Sequence, residues 1–271
     1  MSDIKIDVII PVLDDLRILD AIESVRYFDD CDCTRLIVMA GRSNDAFLAE
    51  LDTKLKSHDI LVAEPDAGIF DALNKGLATC SAEIIGWLGA DDVFSGFVRA
   101  SDVIAEFRSA DTDIVVYSTQ YHSEGRITRH LDARWSRRDF LPLGFHNPHF
   151  STFLSDRVYQ EHRFPVTAGR PNHFSDIVFF IDLLRNYRVA TRSVVCTFMA
   201  EGGSASGTLR AIWYSSKRRF GLYKNRFGLL SGAVAPVVNL VWKLTSMARW
   251  RLVPRAAKPA WREALIKADK S

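Results

Sequence analysis

Over residues 7–117, short apolar runs rich in β-branched residues alternate with segments whose apolar residues recur at helical spacing. Asp7-Val8-Ile9-Ile10-Pro11-Val12 is the first run, and Arg35 to Met39, Ile60-Leu61-Val62, Glu83 to Leu88 and Asp113 to Tyr117 follow. Such runs read as buried strands. Between them, Asp14 to Phe28, Phe47 to Leu55, Ile69 to Ala78 and Phe97 to Phe107 read as helices; Leu16, Leu19, Ile22 and Val25 mark the apolar face of the first. This order predicts parallel βαβ units, hence an α/β fold with a Rossmann-like, mostly parallel sheet flanked by helices. Ligands of such sheets bind beyond the carboxyl ends of the strands. The polar clusters after the first, second and fourth strands are therefore expected to line one crevice.

Beyond this region the pattern changes. From about Gly125 to Asp156 the alternation breaks down, and Arg126, Arg129, Arg134, Arg137 and Arg138 stand among aromatics and prolines, as in a loop-rich region. Ser175 to Leu184 reads as a helix with Ile177, Phe180, Ile181 and Leu184 on its apolar face. The flexible stretch from Gly202 to Gly207 marks a domain boundary, with an α/β unit over 1–206 and a helical extension over 207–271. Charge divides at the same place. From Ser204 to Ser271 there are 14 Lys and Arg against two acids, a net +12, which leaves the remainder at −10 within an overall +2. With 48% hydrophobic residues the chain has enough apolar side chains for a packed core, so bulk disorder is set aside. Cys31, Cys33, Cys80 and Cys196 match neither zinc spacing nor a disulfide framework, and free thiols are expected. The opening MSDIKID lacks the basic and apolar regions of a signal peptide, so a cytoplasmic location is expected.

Two segments carry chemistry. The run Ile84 to Leu88 delivers Asp91 and Asp92 at its carboxyl end. Adjacent carboxylates there suit a hard divalent cation, which binds through one or two carboxylates and substrate phosphates; the ordinary reading is a helix cap. Glu64-Pro65-Asp66-Ala67-Gly68 turns tightly into the helix bearing Asn74 and Lys75. There the ordinary reading of Asp66 is a turn residue.

Together these segments make the chain resemble family 2 glycosyltransferases of the GT-A type, in particular the bacterial branch that builds lipopolysaccharide and related polysaccharides. That branch has Pro-Val-Tyr-Asn, matched by Pro11-Val12-Leu13-Asp14. Its Ile-Val-Ile-Asp-Gly-Gly-Ser-Thr-Asp is matched by Ile37 to Asp45, and its Glu-Pro-Asp-x-Gly-Ile-Tyr-Asp-Ala-Met-Asn-Lys-Gly by Glu64 to Gly76. Leu88 to Asp92 answers Leu-Asn-x-Asp-Asp, His149 to Phe153 answers His-Gln-x-x-Phe, Asp176 opens an Asp-Tyr-Asp-like helix, and Gly202 to Ser206 answers a closing Gly-Gly-x-Ser. Departures occur at Ala40, where the family has an aspartate that contacts the base, and at Gly89, Phe150 and Ser175. Base recognition through that aspartate is then lost, or transferred to Asp45.

The resemblance implies an inverting transfer from a nucleoside-diphosphate sugar, with a UDP-sugar favoured, to a hydroxyl of a glycan or lipid-linked acceptor. It implies Mg²⁺ or Mn²⁺ held by Asp92, Asp91 and His149. Pro11, Asp14, Asp45, Asp66, Asn74, Lys75 and Asp91 are expected around the nucleotide. Asp176 is expected to be the base, against the alternative of a helix cap. A nucleotidyltransferase is disfavoured because the first strand ends in Asp14-Asp15 rather than a basic glycine loop. A non-catalytic scaffold derived from a transferase is the remaining rival, favoured by Ala40 and Gly89 and opposed by Asp91, Asp92 and Asp176.

In the basic tail, Phe227 to Trp242 contains no charged residue. Basic clusters beside an apolar stretch suit an anionic membrane surface better than nucleic acid. The expectation is an interfacial helix pair on the inner face of the cytoplasmic membrane. The alternatives are a helical arm on the catalytic unit or on a homodimer partner, and a membrane span.

Overall fold

The computed structural model describes residues 4–109, 111–123, 126–144, 148–166, 174–200 and 209–251. The elements in order are β1 (Ile6–Pro11), α1 (Ile18–Phe28), β2 (Thr34–Met39), α2 (Asp45–Asp52), β3 (Ile60–Val62), α3 (Ile69–Thr79), β4 (Ile84–Trp87), β5 (Val93–Phe94) and α4 (Ala100–Ser109). Then come β6 (Ile114–Ser123), β7 (Arg126–Leu131), β8 (Thr152–Ser155), α5 (Asp156–Tyr159), α6 (Ser175–Asn186), β9 (Val189–Ala200), α7 (Leu209–Phe227) and α8 (Leu229–Arg251). The strands form one sheet in the order β3-β2-β1-β4-β8-β6-β9-β5, with β7 paired to β6.

β1 is buried along its whole length. Side chains alternate across a strand, so Val8 and Ile10 pack with α1 and α2 through Ile22, Val25, Phe47 and Leu51. Ile9 faces the other way and packs with Leu73 and Leu77 of α3 and with Trp87, Phe179 and Phe180. The sheet thus has helices on both faces, in keeping with a GT-A fold. β1 pairs in parallel with β2 and β4, and β2 in parallel with β3.

The second half is less regular than the expected alternation. The strand after α4 does not join β4; β8 lies between them, antiparallel to both β4 and β6. β9, not anticipated from the sequence, runs parallel to β6 and antiparallel to β5. Thr152–Ser155 is too short to show a period of its own, and β9 carries the exposed polar segment Arg192-Ser193, which interrupts its apolar pattern. The first helix starts at Ile18 rather than near Asp14, because Asp14 takes a left-handed turn conformation with φ +48°. Cys31 and Cys33, expected as free thiols, are joined in a disulfide across the turn from α1 to β2, whereas Cys80 and Cys196 are free.

The helices of the extension pack on the rest. Gly228, at φ +94°, turns α7 into α8. A Cβ on Gly144, itself at φ +86°, would stand 2.5 Å from the Ala235 Cβ, so only glycine lets α8 approach this backbone. Tyr223 and Ala235 bury against Ile181 of α6. The boundary expected at 206, Gly202 and Gly203 within it, and residues 252–271 lie outside the described residues. Among the described residues, no helix is long and apolar enough to cross a membrane.

One buried carboxylate links the parallel half. Asp7, fully buried in β1, takes a two-point ion pair from Arg35 at 2.8 and 2.9 Å. It also accepts the backbone N–H groups of Ser81 and Ala82 at 2.8 and 3.0 Å. It therefore ties β1 to β2 and to the turn that starts β4. Removing one member of a buried pair leaves the other charge uncompensated, at a cost of about 3–5 kcal/mol. Asp7→Ala is expected to lower stability by about 3 kcal/mol in urea unfolding followed by circular dichroism, with an unchanged m-value.

Candidate active site

In the strand order, β1 sits between β2 on one side and β4 on the other. A crevice opens at such a switch point, outside the carboxyl ends. Pro11 is the buried last residue of β1, and the loops after β1 to β4 are knitted together beyond it. The Asp14 carboxylate accepts the Asn44 backbone N–H at 2.9 Å and its side-chain amide at 2.8 Å. Asn44 also caps α2 by accepting the Phe47 N–H, which leaves the neighbouring Asp45 as the exposed first residue of that helix. Gly41 has φ +53°, and a Cβ there would lie 2.6 Å from the Asp66 carboxylate, so Asp66 rests directly on the end of β2. Its other oxygen accepts the Gly68 N–H at 2.8 Å. Arg17 spans from Asp15, at 2.5 Å, to Asp91, at 3.2 Å. These contacts bring Asp14, Asp45, Asp66 and Asp91 to one end of the sheet.

Asp92 is 3% exposed. One oxygen accepts the Ala200 N–H at 2.9 Å, latching the loop after β4 to the end of β9. Its other oxygen fills the space that a side chain on Gly89 would need. The departure at Gly89 thus has a steric reason: the Asp92 carboxylate occupies that volume. Burial, then the charge of Asp91, push the Asp92 carboxyl up to about 7, against the hydrogen bonds from Ala200 and Gly89 and the charge of Arg17.

Asp176 lies in the first turn of α6. The N-cap position is Phe174, which makes no side-chain cap bond, and the Ser175 hydroxyl is turned to the Pro165 carbonyl at 2.6 Å. Oδ1 of Asp176 is buried without a hydrogen-bond partner. Burial raises its carboxyl above the usual range, while the Asp176 and Ile177 N–H groups and the Arg219 charge oppose that rise. The Tyr121 phenol of β6 is raised chiefly by burial and also feels the charges of Asp92 and Asp176, so it stands near both. The Arg129 guanidinium lies 3.7 Å from the Tyr121 ring centroid.

Three expected residues sit differently. Asn74, expected beside the nucleotide, has both ends of its amide engaged by the backbone of Phe164, at 2.9 and 2.8 Å. It acts as a strut between α3 and the segment before α6. Lys75 donates to the Pro65 carbonyl at 2.6 Å and lies 3.8 Å from Asp71, holding the turn that presents Asp66. His149, expected in the metal shell, sits instead in an aromatic cluster, stacked on Phe150 at 4.5 Å and edge-on to Phe180 and Trp87. Its carbonyl accepts the Trp87 indole N–H at 2.6 Å, and burial pushes its imidazole down to about 3. Among the described residues, its ring does not converge with Asp91 and Asp92. The ligand atoms that do converge, within 4.8 Å, are those of Asp29, Cys31 and Cys33, and two of these are the disulfide sulfurs. His146, Asn147 and His173, beside His149 and Asp176 in the sequence, lie outside the described residues. Arg17 and Arg219 escape a reading of the sequence because neither falls in a motif, and only the fold brings them to these carboxylates.

The crevice therefore offers hard oxygen donors at Asp91 and Asp92, further carboxylates at Asp14, Asp45 and Asp66, and a separate carboxylate at Asp176 with a buried oxygen. The first set suits a cation and a diphosphate, and the last suits proton transfer. The architecture is shared with solved glycosyltransferases. The chain has a TM-score of 0.59 at 13% identity with S. aureus TarS 1–349, covering 98% of this chain and 81% of that one. For the TarS 1–349 complex with UDP-GlcNAc the TM-score is 0.57 at 14% identity, again with 98% and 81% covered. For the mannosyltransferase PcManGT from Pyrobaculum calidifontis, in complex with GDP-Man and Mn²⁺, it is 0.54 at 17% identity, with 98% and 79% covered. Against a longer TarS chain, this chain spans 39% of the length. No curated protein matches significantly. The family model described as "Glycosyl transferase family 2" matches residues 7–175, more than half of the chain and all of the parallel half of the sheet. The chain belongs to glycosyltransferase family 2.

Proposed function

We propose that this chain is an inverting, metal-dependent hexosyltransferase-like enzyme. It moves a sugar from a nucleoside-diphosphate donor, UDP-linked in preference, to a hydroxyl of a glycan or lipid-linked acceptor in cell-surface polysaccharide biosynthesis. The observation that carries this reading is the separation of two kinds of carboxylate. Asp14, Asp45, Asp66 and Asp91 gather at the switch point, and Asp176 lies on α6 with one buried oxygen that has no hydrogen-bond partner. The ligands bound in the TarS and PcManGT complexes, UDP-GlcNAc and GDP-Man with Mn²⁺, support a nucleotide-sugar donor and a divalent cation.

In this reading Asp66 and Asp45 serve the nucleoside end, beside Ala40, with Asp14 bracing the loop between them. Asp91 and Asp92 hold Mg²⁺ or Mn²⁺: both are hard oxygen donors, and Asp92 is a buried carboxylate whose charge is poorly compensated by the protein alone. When bound, the cation supplies charge neutralisation for the diphosphate. Arg17 lies beside the same group and can add a further positive contact. Asp176 takes the proton of the acceptor hydroxyl as its oxygen bonds to the anomeric carbon. The bond from that carbon to the diphosphate breaks with its electron pair on the leaving oxygen, and the configuration inverts. Ala40 and Gly89 are what favour the rival, a non-catalytic nucleotide-sugar-binding scaffold.

The same reading seats the protein on the inner face of the cytoplasmic membrane through α8. Leu229, Leu230, Val237 and Val241 are exposed, Leu230 at 77%, while Ala235 on the opposite side is buried against the domain. The neighbouring α7 carries Lys217, Arg218 and Lys224. An exposed apolar stripe beside cations suits an anionic leaflet, where each basic residue contributes up to about 1 kcal/mol and salt weakens the attraction.

Three measurements test these assignments. Asp92→Asn should abolish the Mn²⁺-dependent part of donor binding in calorimetry with UDP-sugars; unchanged metal dependence would remove Asp92 from the site. Asp176→Asn should leave donor affinity intact and cut turnover by about 10²-fold or more, roughly 3 kcal/mol in barrier, because the amide cannot take the proton. Turnover near wild type at an equal melting temperature would instead fit a capping role, and nucleotide-sugar binding without turnover in the wild type would fit the scaffold. The full chain should float with phosphatidylserine-containing liposomes at low salt, and the triple variant L230E/V237E/V241E should not. Equal flotation of the two proteins would exclude this face as the lipid contact.

A further inference from the structure

We propose that Arg219, carried on α7 of the C-terminal extension, is the positioning cation of Asp176, so that the extension completes the catalytic centre. This rests on the reading of Asp176 as the base.

Arg219 is 3% exposed, the one arginine among the buried polar side chains of the described residues. Its guanidinium lies 5.6 Å from the ring centroid of Phe174, the residue that leads into the first turn of α6, where Asp176 sits. Beside it, Arg218 lies 5.1 Å from the same ring. One turn along α7, Tyr223 is fully buried; its phenol stands beside Arg219, and the side chain packs with Ile181 of α6 and Ala235 of α8. Because α8 is seated on Gly144, the register of α7 against α6 is set, and with it the place of Arg219. Arg226, two turns beyond Arg219, ties the same two helices at their other end by a two-point ion pair with Asp182 at 2.9 Å.

A buried guanidinium is costly unless a counter-charge lies near it, and an apolar residue would usually be the more stabilising occupant. Among the described residues, Asp176 is the carboxylate whose charge acts on Arg219, after that of the Tyr223 phenol. Oδ1 of Asp176 is not covered by a hydrogen bond. Burial dominates both groups, raising the carboxyl and lowering the guanidinium, and their mutual attraction opposes each shift. Among the described residues, the other groups that act on Asp176 are its own and the Ile177 backbone N–H, and its charge in turn acts on the Tyr121 phenol of β6. Among the described residues, Arg219 is thus the full positive charge that acts on the carboxylate. It favours the ionised form without covering the oxygen that must meet the acceptor hydroxyl. A base set among apolar groups needs such a charge in order to be anionic when the acceptor arrives.

Removing the cation raises the folded-state pKa of Asp176, so the acid limb of turnover moves to higher pH. The experiment is the pH profile of kcat for the full chain, with donor KM and melting temperature, in wild type, R219M, R219Q, R219K and D176N. R219M and R219Q should shift the acid limb up by about one pH unit or more, lose about tenfold or more in kcat below it, and regain most turnover above it. Donor KM should stay within a few-fold, and R219K should return the limb towards wild type. A folded neutral variant with an unshifted limb would overturn the proposal, as would an equal loss at every pH or the failure of all three Arg219 variants to fold, since these mark a structural residue. D176N separates the two levels. If it retains turnover, the base reading fails and takes this proposal with it; if it is inactive while the limb of R219M stays put, only this proposal fails.

Discussion

The interior position of β1 is the constraint on which the rest depends. Its six residues are buried, and both of its edges are hydrogen-bonded, to β2 and to β4. A strand covered on both faces and paired on both edges leaves room for ligands only beyond its ends. The loops that leave β1, β2, β3 and β4 must therefore meet at one end, and their acidic residues are pressed into one volume. Asp7 helps to hold this arrangement at the opposite end, where it joins β1, β2 and the start of β4 through Arg35 and two backbone N–H groups.

Crowding acids together has an electrostatic consequence. Asp91 is partly exposed and shares Arg17, whereas Asp92 is almost wholly buried and is held by backbone N–H groups. The buried member of the pair resists ionisation, and a divalent cation is the natural compensation. Asp176 solves a similar problem differently. Its burial is opposed by backbone N–H groups and by the Arg219 charge, and its buried Oδ1 has no hydrogen-bond partner. The two environments differ in kind, as the metal-holding and base roles proposed for them require.

The extension is joined to the site at two scales. At the level of backbone packing, Gly144 admits Ala235, and α8 lies flat on the domain. At the level of side chains, Tyr223 fills the seam between α6, α7 and α8 and fixes the neighbouring Arg219. The face of α8 turned away from the domain keeps its leucines and valines in solvent. One helical hairpin therefore offers a buried face to α6 and an apolar face to the surroundings.

The parallel half and the glycosyltransferase family were legible in the sequence, because buried strands leave unbroken apolar runs and the motifs at their ends are local. The placement of Asp14, Asp45, Asp66, Asp91 and Asp92 beyond the strand ends could be read in this way, since each lies in or just after the loop that follows a strand. Other features depended on contacts between distant segments. β8 inserts between β4 and β6, although its four residues carry too little pattern to announce it. Asn74 looks like a motif residue, yet Phe164, ninety residues later, takes both ends of its amide. His149 belongs to a matched motif, but the packing of Trp87, Phe150 and Phe180 surrounds its ring with aromatics. Arg219 looks like one of many basic residues in a tail until the hairpin folds back. The sequence by itself determined which strands of the parallel half form and which carboxylates follow them, because both are set by residues near in the chain. Only the tertiary structure decided which polar groups are spent on the protein, which are open and which charges face each other, because burial and long-range packing set the cost of every unpaired polar atom.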